Sequence, residues 1–245
     1  MVTAMLFAGG VGSRMSAAGK PKQFMEVGGK PIIIHTMEHF AAHKDVDKIV
    51  VACKEDWIDY LKDLVEKFGV QKLHSIVPGG ETGFDSIHNG VVETATFATK
   101  PDDIILICDG VRPILTEKLI TDCIELTRIH GTAVPVTPSI DSLLYSEDGD
   151  MCEKSYKRSS MYVTQAPQGY TMEKILWAHS EAEKRGILNP VSSSELFIEL
   201  GHPVKLYIGE RRNIKVTTPE DLDMLRATYF YEKFKQLARE EINED

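Results

Sequence analysis

Short apolar runs alternate with longer segments in which apolar residues recur every three or four positions. Val2-Thr3-Ala4-Met5-Leu6-Phe7, Lys48–Cys53, Leu73–Val77, Ile104–Cys108 and Thr132–Val136 belong to the first kind. Such runs predict strands buried on both faces of a parallel sheet. Between them, helical spacing predicts helices over 31–42, 55–68, 84–98 and 119–130. Pro31 is well placed in the first turn of the first helix, and Gly69 ends the second. Trp57, Leu61, Leu64, Val65 and Phe68 give that second helix one apolar stripe. The alternation predicts an open α/β sheet in a single domain over 1–245.

From Thr137 to Gln168 the pattern changes. Asp141–Tyr145 and Met161–Gln165 alternate polar and apolar, and the polar Ser146-Glu147-Asp148-Gly149-Asp150 joins them. This predicts a β-arm, about 137–168, projecting from the sheet. Tyr145, Tyr156, Met161 and Tyr162 on it would expose apolar surface unless covered, so a homodimer through the arm is expected. Helices over 171–184 and 219–240 and a late strand over 204–208 complete the pattern.

Charge narrows the partners. The 245 residues hold 28 Lys and Arg against 37 Asp and Glu, a net −9, which argues against nucleic acid because phosphate backbones need a basic face. No apolar run reaches membrane-spanning length, and the chain enters a strand without a leader-like segment, so a cytoplasmic location is expected. Cys53, Cys108, Cys123 and Cys152 are scattered without a C-x-x-C pair, which suggests neither zinc nor a disulfide framework. His35, His39 and His43 repeat every four residues, which predicts a solvated helix face rather than a metal site.

Candidate chemistry gathers at the carboxyl ends of strands, where open α/β sheets bind ligands. The first loop, Ala8-Gly9-Gly10-Val11-Gly12-Ser13-Arg14 with Lys22 beyond it, combines glycines that bare backbone N–H groups with two cations. Met15 stands where a dinucleotide fingerprint needs its third glycine, and Pro21 after Gly19-Lys20 excludes a Walker A loop. A glycine-rich turn with solvated cations would explain the same residues without function; a triphosphate cradle explains the cations as well. Gly79-Gly80 leads into a helix start near Ser86. Asp109, directly after a buried strand, suits a magnesium ion, or alternatively a turn in which it pairs with Arg112. Lys215, a cation amid Ile214 and Val216, is the hardest of the set to explain structurally. Together these residues suit phosphoryl or nucleotidyl transfer, which needs positioning and positive charge more than a nucleophile.

These motifs resemble the cytidylyltransferase family that includes methylerythritol-phosphate cytidylyltransferase and ribitol-5-phosphate cytidylyltransferase. The likeness spans Met5 to about Leu225. It rests on Ala8-Gly9-Gly10-x-Gly12-x-Arg14-Met15, Pro21-Lys22-Gln23-Phe24, Gly79-Gly80, Asp109-x-x-Arg112-Pro113, Pro167-Gln168 and Asn213-Ile214-Lys215-Val216-Thr217. The resemblance implies a Rossmann-like nucleotidyltransferase (GT-A-like) α/β fold, a mixed, mostly parallel sheet flanked by helices with a projecting β-arm. It also implies CTP and a phosphorylated polyol as substrates, Mg²⁺, and a dimer swapped through the arm. By matching position, Arg14, Lys22 and Lys215 would be catalytic cations. Ala8, Gly9, Gly10, Gly12, Gly80, Ser86 and Asp109 would hold CTP, and Asp109 the metal. Asp109, Arg112, Ser142 and Arg158 would contact the acceptor, the last two from the neighbouring subunit's arm.

The chain departs from the family pattern at Cys108 (a His is usual), Gly83 (an Arg), Ala166 (a Thr) and Val191-Ser192 (Thr-Asp). CTP handling therefore looks intact and acceptor recognition altered. Trp57 after Lys54-Glu55-Asp56, Asp103-Ile104-Ile105 and Val111-Arg112-Pro113 lean towards the ribitol-5-phosphate branch. That branch implies a CDP-alditol of the kind used as a teichoic acid or capsule precursor. The alternatives are the methylerythritol-phosphate enzyme of isoprenoid biosynthesis and a nucleotide-binding paralogue with impaired catalysis.

Overall fold

A computed structural model describes residues 1–9 and 19–243 of the chain. In chain order the elements are β1 (Val2–Ala8), β2 (Glu26–Val27), β3 (Lys30–Pro31), α1 (Ile32–Ala42), β4 (Lys48–Cys53), α2 (Ile58–Phe68) and β5 (Leu73–Pro78). They continue with α3 (Gly83–Ala95), β6 (Ile104–Asp109), α4 (Glu117–His130), β7 (Thr132–Pro138), β8 (Leu143–Tyr145), β9 (Lys154–Tyr156), β10 (Tyr162–Thr164) and β11 (Gln168–Thr171). Last come α5 (Met172–Arg185), α6 (Ser193–Glu199), β12 (Leu206–Ile208) and α7 (Pro219–Asn243).

The main sheet runs β10-β7-β11-β6-β1-β4-β5, with β12 on the free side of β7. Parallel pairs join β1 to β4 and β6, β4 to β5, and β12 to β7, whereas β11 is antiparallel to both its neighbours. Alternate residues of the central strands go to opposite faces. Ala4, Leu6, Val51, Leu106 and Cys108 meet α1, α2 and α4, while Met5, Ala52, Ile105 and Ile107 meet α3, α5 and α6. Both faces are therefore filled, which is why the strands read as nearly continuous apolar runs. The carboxyl ends of β1 and β6 come side by side, Phe7 in register with Asp109. Val27, Ile32, Val111, Val216, Leu222 and Leu225 form a third cluster that docks the start of α7 beside that end.

The arm differs from its sequence reading. Asp141–Tyr145 does not pair with Met161–Gln165. Instead β8 pairs with β9, and Tyr162–Thr164 lies on the Val136–Pro138 end of β7. The nearer partner wins because the intervening turn closes on itself, Asp148 Oδ1 accepting from the backbone N–H groups of Asp150 and Met151. The projecting part ends near Met161, whose carbonyl accepts from Ser139 N at 2.9 Å. Gln165 and Gln168, assigned to the arm from sequence, are both buried, Gln168 as the first residue of β11 and Gln165 just past the end of β10.

Element α6 was not expected at all. Its serine run reads as a loop, yet Ser192 caps it by accepting from Glu195 N, and Leu196 and Phe197 fill the core. The histidines of α1 do not form a solvated face. His35 and His39 face the carbonyls of Val27 and Pro113, and buried His43 meets Thr121 Oγ1, so all three tie α1 to its neighbours.

Candidate active site

Asp109 ends β6, 6% exposed, and both of its carboxylate oxygens are engaged. Arg112 Nε donates to Oδ2 at 2.8 Å, and Lys215 Nζ lies 2.6 Å from Oδ1. Arg112, 8% exposed, also donates through Nη1 to the Asn213 carbonyl at 3.0 Å. Burial alone would raise the carboxyl's pKa, but the two cations outweigh it and hold Asp109 below its ordinary 3.8. The aspartate is thus ionised at neutral pH, and the Lys215 side chain, 44% exposed, reaches over it to the open side. The local chain explains this placement. Val216 N donates to Val111 O at 3.0 Å, and Asp221 Oδ2 caps Thr217 and Thr218, pinning Lys215 between a strand end and a helix start.

These groups open on a cleft of about 240 Å³ lined by Asp109, Arg112 and Lys215 together with the polar Thr164, Gln165, Gln168, Ser192 and Ser193. Phe7, Ile87, Ile107, Ala166 and Val191 make the rest of its wall apolar. Cys108, buried behind Asp109, has its thiol pushed far up by burial and then by the Asp109 charge, so it stays protonated and offers no nucleophile.

A second constellation surrounds the end of β1. A Cβ on Gly9 would meet Ser86 Oγ at 2.5 Å, and one on Gly80 would meet Asp85 Cβ at 2.0 Å, so only glycine lets these loops close on α3. Gly80 N donates to Ser86 Oγ at 3.0 Å, and Ser86 Oγ donates to Thr82 O at 2.9 Å. Thr82 and Asp85 form a reciprocal capping box at the start of α3. Lys22 opens a short 3₁₀ turn held against β1 by Gln23 Nε2 donating to the Ala8 carbonyl at 2.7 Å.

The fold thus brings Asp109, Arg112 and Lys215 into direct contact, and Ala8, Gly9, Gly80 and Ser86 into one loop cluster. Ser142 and Arg158 stand apart on the exposed arm, where Arg158 Nη1 donates to the Ile140 carbonyl at 3.4 Å. Gly10, Gly12 and Arg14 lie outside the described residues. Gln165, Gln168 and Asn213 were not singled out for a role by the sequence reading. Their signal was present as polar residues beside Pro167 and Lys215 in stretches otherwise apolar.

Asp109 alone among the residues lining the cleft is a carboxylate, and no cluster of three His, Cys, Asp or Glu occurs among the described residues. A magnesium ion that takes one protein carboxylate and completes its shell with phosphate oxygens and water would share Asp109 with Arg112 and Lys215, which engage both of its oxygens.

The family model for IspD, 2-C-methyl-D-erythritol 4-phosphate cytidylyltransferase, matches residues 2–231. The chain belongs to the IspD family. Among IspD-family relatives, the ribitol-5-phosphate cytidylyltransferase of Vibrio parahaemolyticus serotype O3:K6 is 38% identical over 227 residues, 93% of this chain and 95% of that protein. That of Streptococcus agalactiae serotype V is 38% identical over 92% of this chain and 93% of its own length. The crystal structure of 4-diphosphocytidyl-2C-methyl-D-erythritol synthase from Anaerococcus prevotii superposes with a TM-score of 0.79 at 27% identity, covering 94% of this chain and 96% of that one. The IspD fold is thus common to both, while the curated sequences favour the ribitol-5-phosphate branch.

Proposed function

We propose that the chain is a cytidylyltransferase that transfers CMP from CTP to D-ribitol 5-phosphate. An oxygen of the acceptor's phosphate attacks the α-phosphorus of CTP in line. The bond from that phosphorus to the bridging oxygen of the β-phosphate breaks, so CDP-ribitol forms and pyrophosphate leaves. The observation that carries the reading is the convergence of Lys215, Arg112 and Asp109 on one cleft at the ends of β1 and β6. Lys215 would stabilise charge on the crowded phosphorus, Arg14 and Lys22 would be the cations around the triphosphate, and Gly9, Gly80 and Ser86 would hold the nucleotide. Asp109 would hold Mg²⁺, whose contribution is to neutralise the triphosphate oxygens.

The identity of 38% to two ribitol-5-phosphate cytidylyltransferases supports the acceptor. The hydroxyls of Thr164, Ser192 and Ser193 in the cleft suit a polyol. Methylerythritol phosphate is the second reading, favoured by Ile87, Ile107 and Val191, which would suit a methyl branch. Ile140, Leu144, Tyr145, Tyr156 and Val163 are exposed on or beside the arm, which supports a homodimer formed through it. Ser142 and Arg158 would then serve the acceptor phosphate of the partner subunit. The expected compartment is the cytoplasm, where CTP is available.

The test is pyrophosphate release from CTP and Mg²⁺ with a panel of phosphorylated polyols. Ribitol 5-phosphate should give the highest kcat/KM, and Lys215→Ala should lower kcat by about 10²–10³-fold with the fold intact. A higher kcat/KM for methylerythritol phosphate would transfer the assignment to the second reading. CTP binding without turnover of any acceptor would leave a nucleotide-binding paralogue.

A further inference from the structure

Lys215 is half exposed, and its side chain makes one ion pair, so something beyond Asp109 must fix where its backbone lies. The segment leading to it, 209–213, carries neither helix nor strand. Gln165, 7% exposed, is bound to this segment by both ends of its carboxamide. Oε1 accepts from Glu210 N at 3.2 Å, and Nε2 donates to Glu210 O at 2.8 Å and to Asn213 O at 3.3 Å. Asn213 returns the contact, its Nδ2 donating to Ala166 O at 2.6 Å. The same Asn213 carbonyl receives Arg112 Nη1 at 3.0 Å. Gly209 completes the fit, because a Cβ there would lie 2.3 Å from Gln165 Oε1.

We infer that Gln165 is a positioning residue for the proposed transfer, holding the 209–213 turn so that Lys215 and Arg112 meet at Asp109. It touches no reacting atom. Its Oε1 is the acceptor for the Glu210 N–H, and its Nε2 is a further donor to the Glu210 and Asn213 carbonyls, which also accept from Asn213 N and Arg112 Nη1. A group left short of its partner in such a half-buried turn carries a desolvation cost. Those groups belong to the turn that delivers the catalytic lysine, two residues beyond Asn213. Val216, bound to Val111 O, fixes the far side of Lys215. With Gln165 gone, the turn would keep its bonds at Asn213, to Ala166 O and Arg112, but lose the anchor at Glu210 that sets its course.

The inference rests on Lys215 acting at the α-phosphorus, and a double-mutant cycle separates the two claims. Gln165→Leu should lower kcat about tenfold or more while KM for CTP changes by less than about twofold, with rates normalised to the CTP-binding fraction. On a Lys215→Ala background the same change should cost less than about twofold, because its effect passes through the lysine. Gly209→Ala, which displaces the Gln165 amide while leaving the residue in place, should reproduce the kcat loss and supplies the cycle if Gln165→Leu does not fold. Equal losses on the wild-type and Lys215→Ala backgrounds, or a raised KM with kcat preserved, would overturn the role of Gln165 alone. Wild-type turnover in Lys215→Ala would overturn the functional reading beneath it.

Discussion

Asp109 is pulled in opposite directions, burial favouring its neutral form and Arg112 and Lys215 its charged one. The cations prevail, so its pKa in the folded protein lies below the unfolded value. The unfolded chain then binds the extra proton first as pH falls, and the aspartate's contribution to stability is complete above the unfolded pKa and lost as pH drops through the folded one. Asp109→Asn should therefore cost about 3 kcal/mol at pH 7, by leaving Arg112 buried without its counter-ion. Urea unfolding across pH should show that gap constant from neutral down to about pH 4 and narrowing below it. A gap that already closes between about pH 6 and pH 5 would mean the carboxylate is not held by these cations. Asp109 and Lys215 were legible in the sequence because a charge at the end of an apolar run is conspicuous. Arg112 was read as an acceptor contact or, alternatively, as the partner of Asp109 in a turn, and the fold shows that pairing. Its second bond, to the Asn213 carbonyl 101 residues away, is what no local pattern reveals.

At the scale of elements, the loops proposed to hold the nucleotide depend on how α3 begins. Thr82 accepts from Asp85 N at 3.1 Å, Asp85 accepts in return from Thr82 N, and Ser86 one turn along receives Gly80 N. Removing the cap frees the very turn that orients Ser86. Thr82→Ala should cost about 1 kcal/mol in urea unfolding and raise KM for CTP with kcat little changed. A lowered kcat at unchanged KM would place this helix start with the chemistry instead. The central parallel strands and their helices were readable because β1, β4 and β6 are buried on both faces and repeat one apolar signal. Element α6 was missed because Ser192-Ser193-Ser194 gives no apolar period, although Ser192 and Glu195 have capping-box spacing. The pairing of β8 with β9 was misread since alternation tells which face a residue takes, never which strand it joins.

At the scale of the whole molecule, the residues proposed to contact the acceptor lie apart, in the cleft and on the arm. Asp109, Arg112 and Lys215 line the cleft, whereas Ser142 and Arg158 sit on an arm with Leu144 and Met151 about 70% exposed. Either Arg158 bends back to its own cleft or it serves a second copy. Mixing inactive variants distinguishes these geometries. In a dimer formed from one Arg158→Ala chain and one Lys215→Ala chain, an arm that crosses over leaves one cleft with both an intact Lys215 and an intact Arg158. The other cleft lacks both. Random reassortment yields half mixed dimers, each with one working site of two, so activity should recover to about one quarter of wild type. An arm that serves its own cleft leaves every site short of one residue, and the mixture stays as inactive as its parents. The measurement is pyrophosphate release after co-refolding equal amounts of the two variants, with the mass of the assembly read by light scattering. Recovery in a sample that scatters as monomer would rule out exchange between subunits, and absent recovery in a dimer would return Arg158 to its own chain.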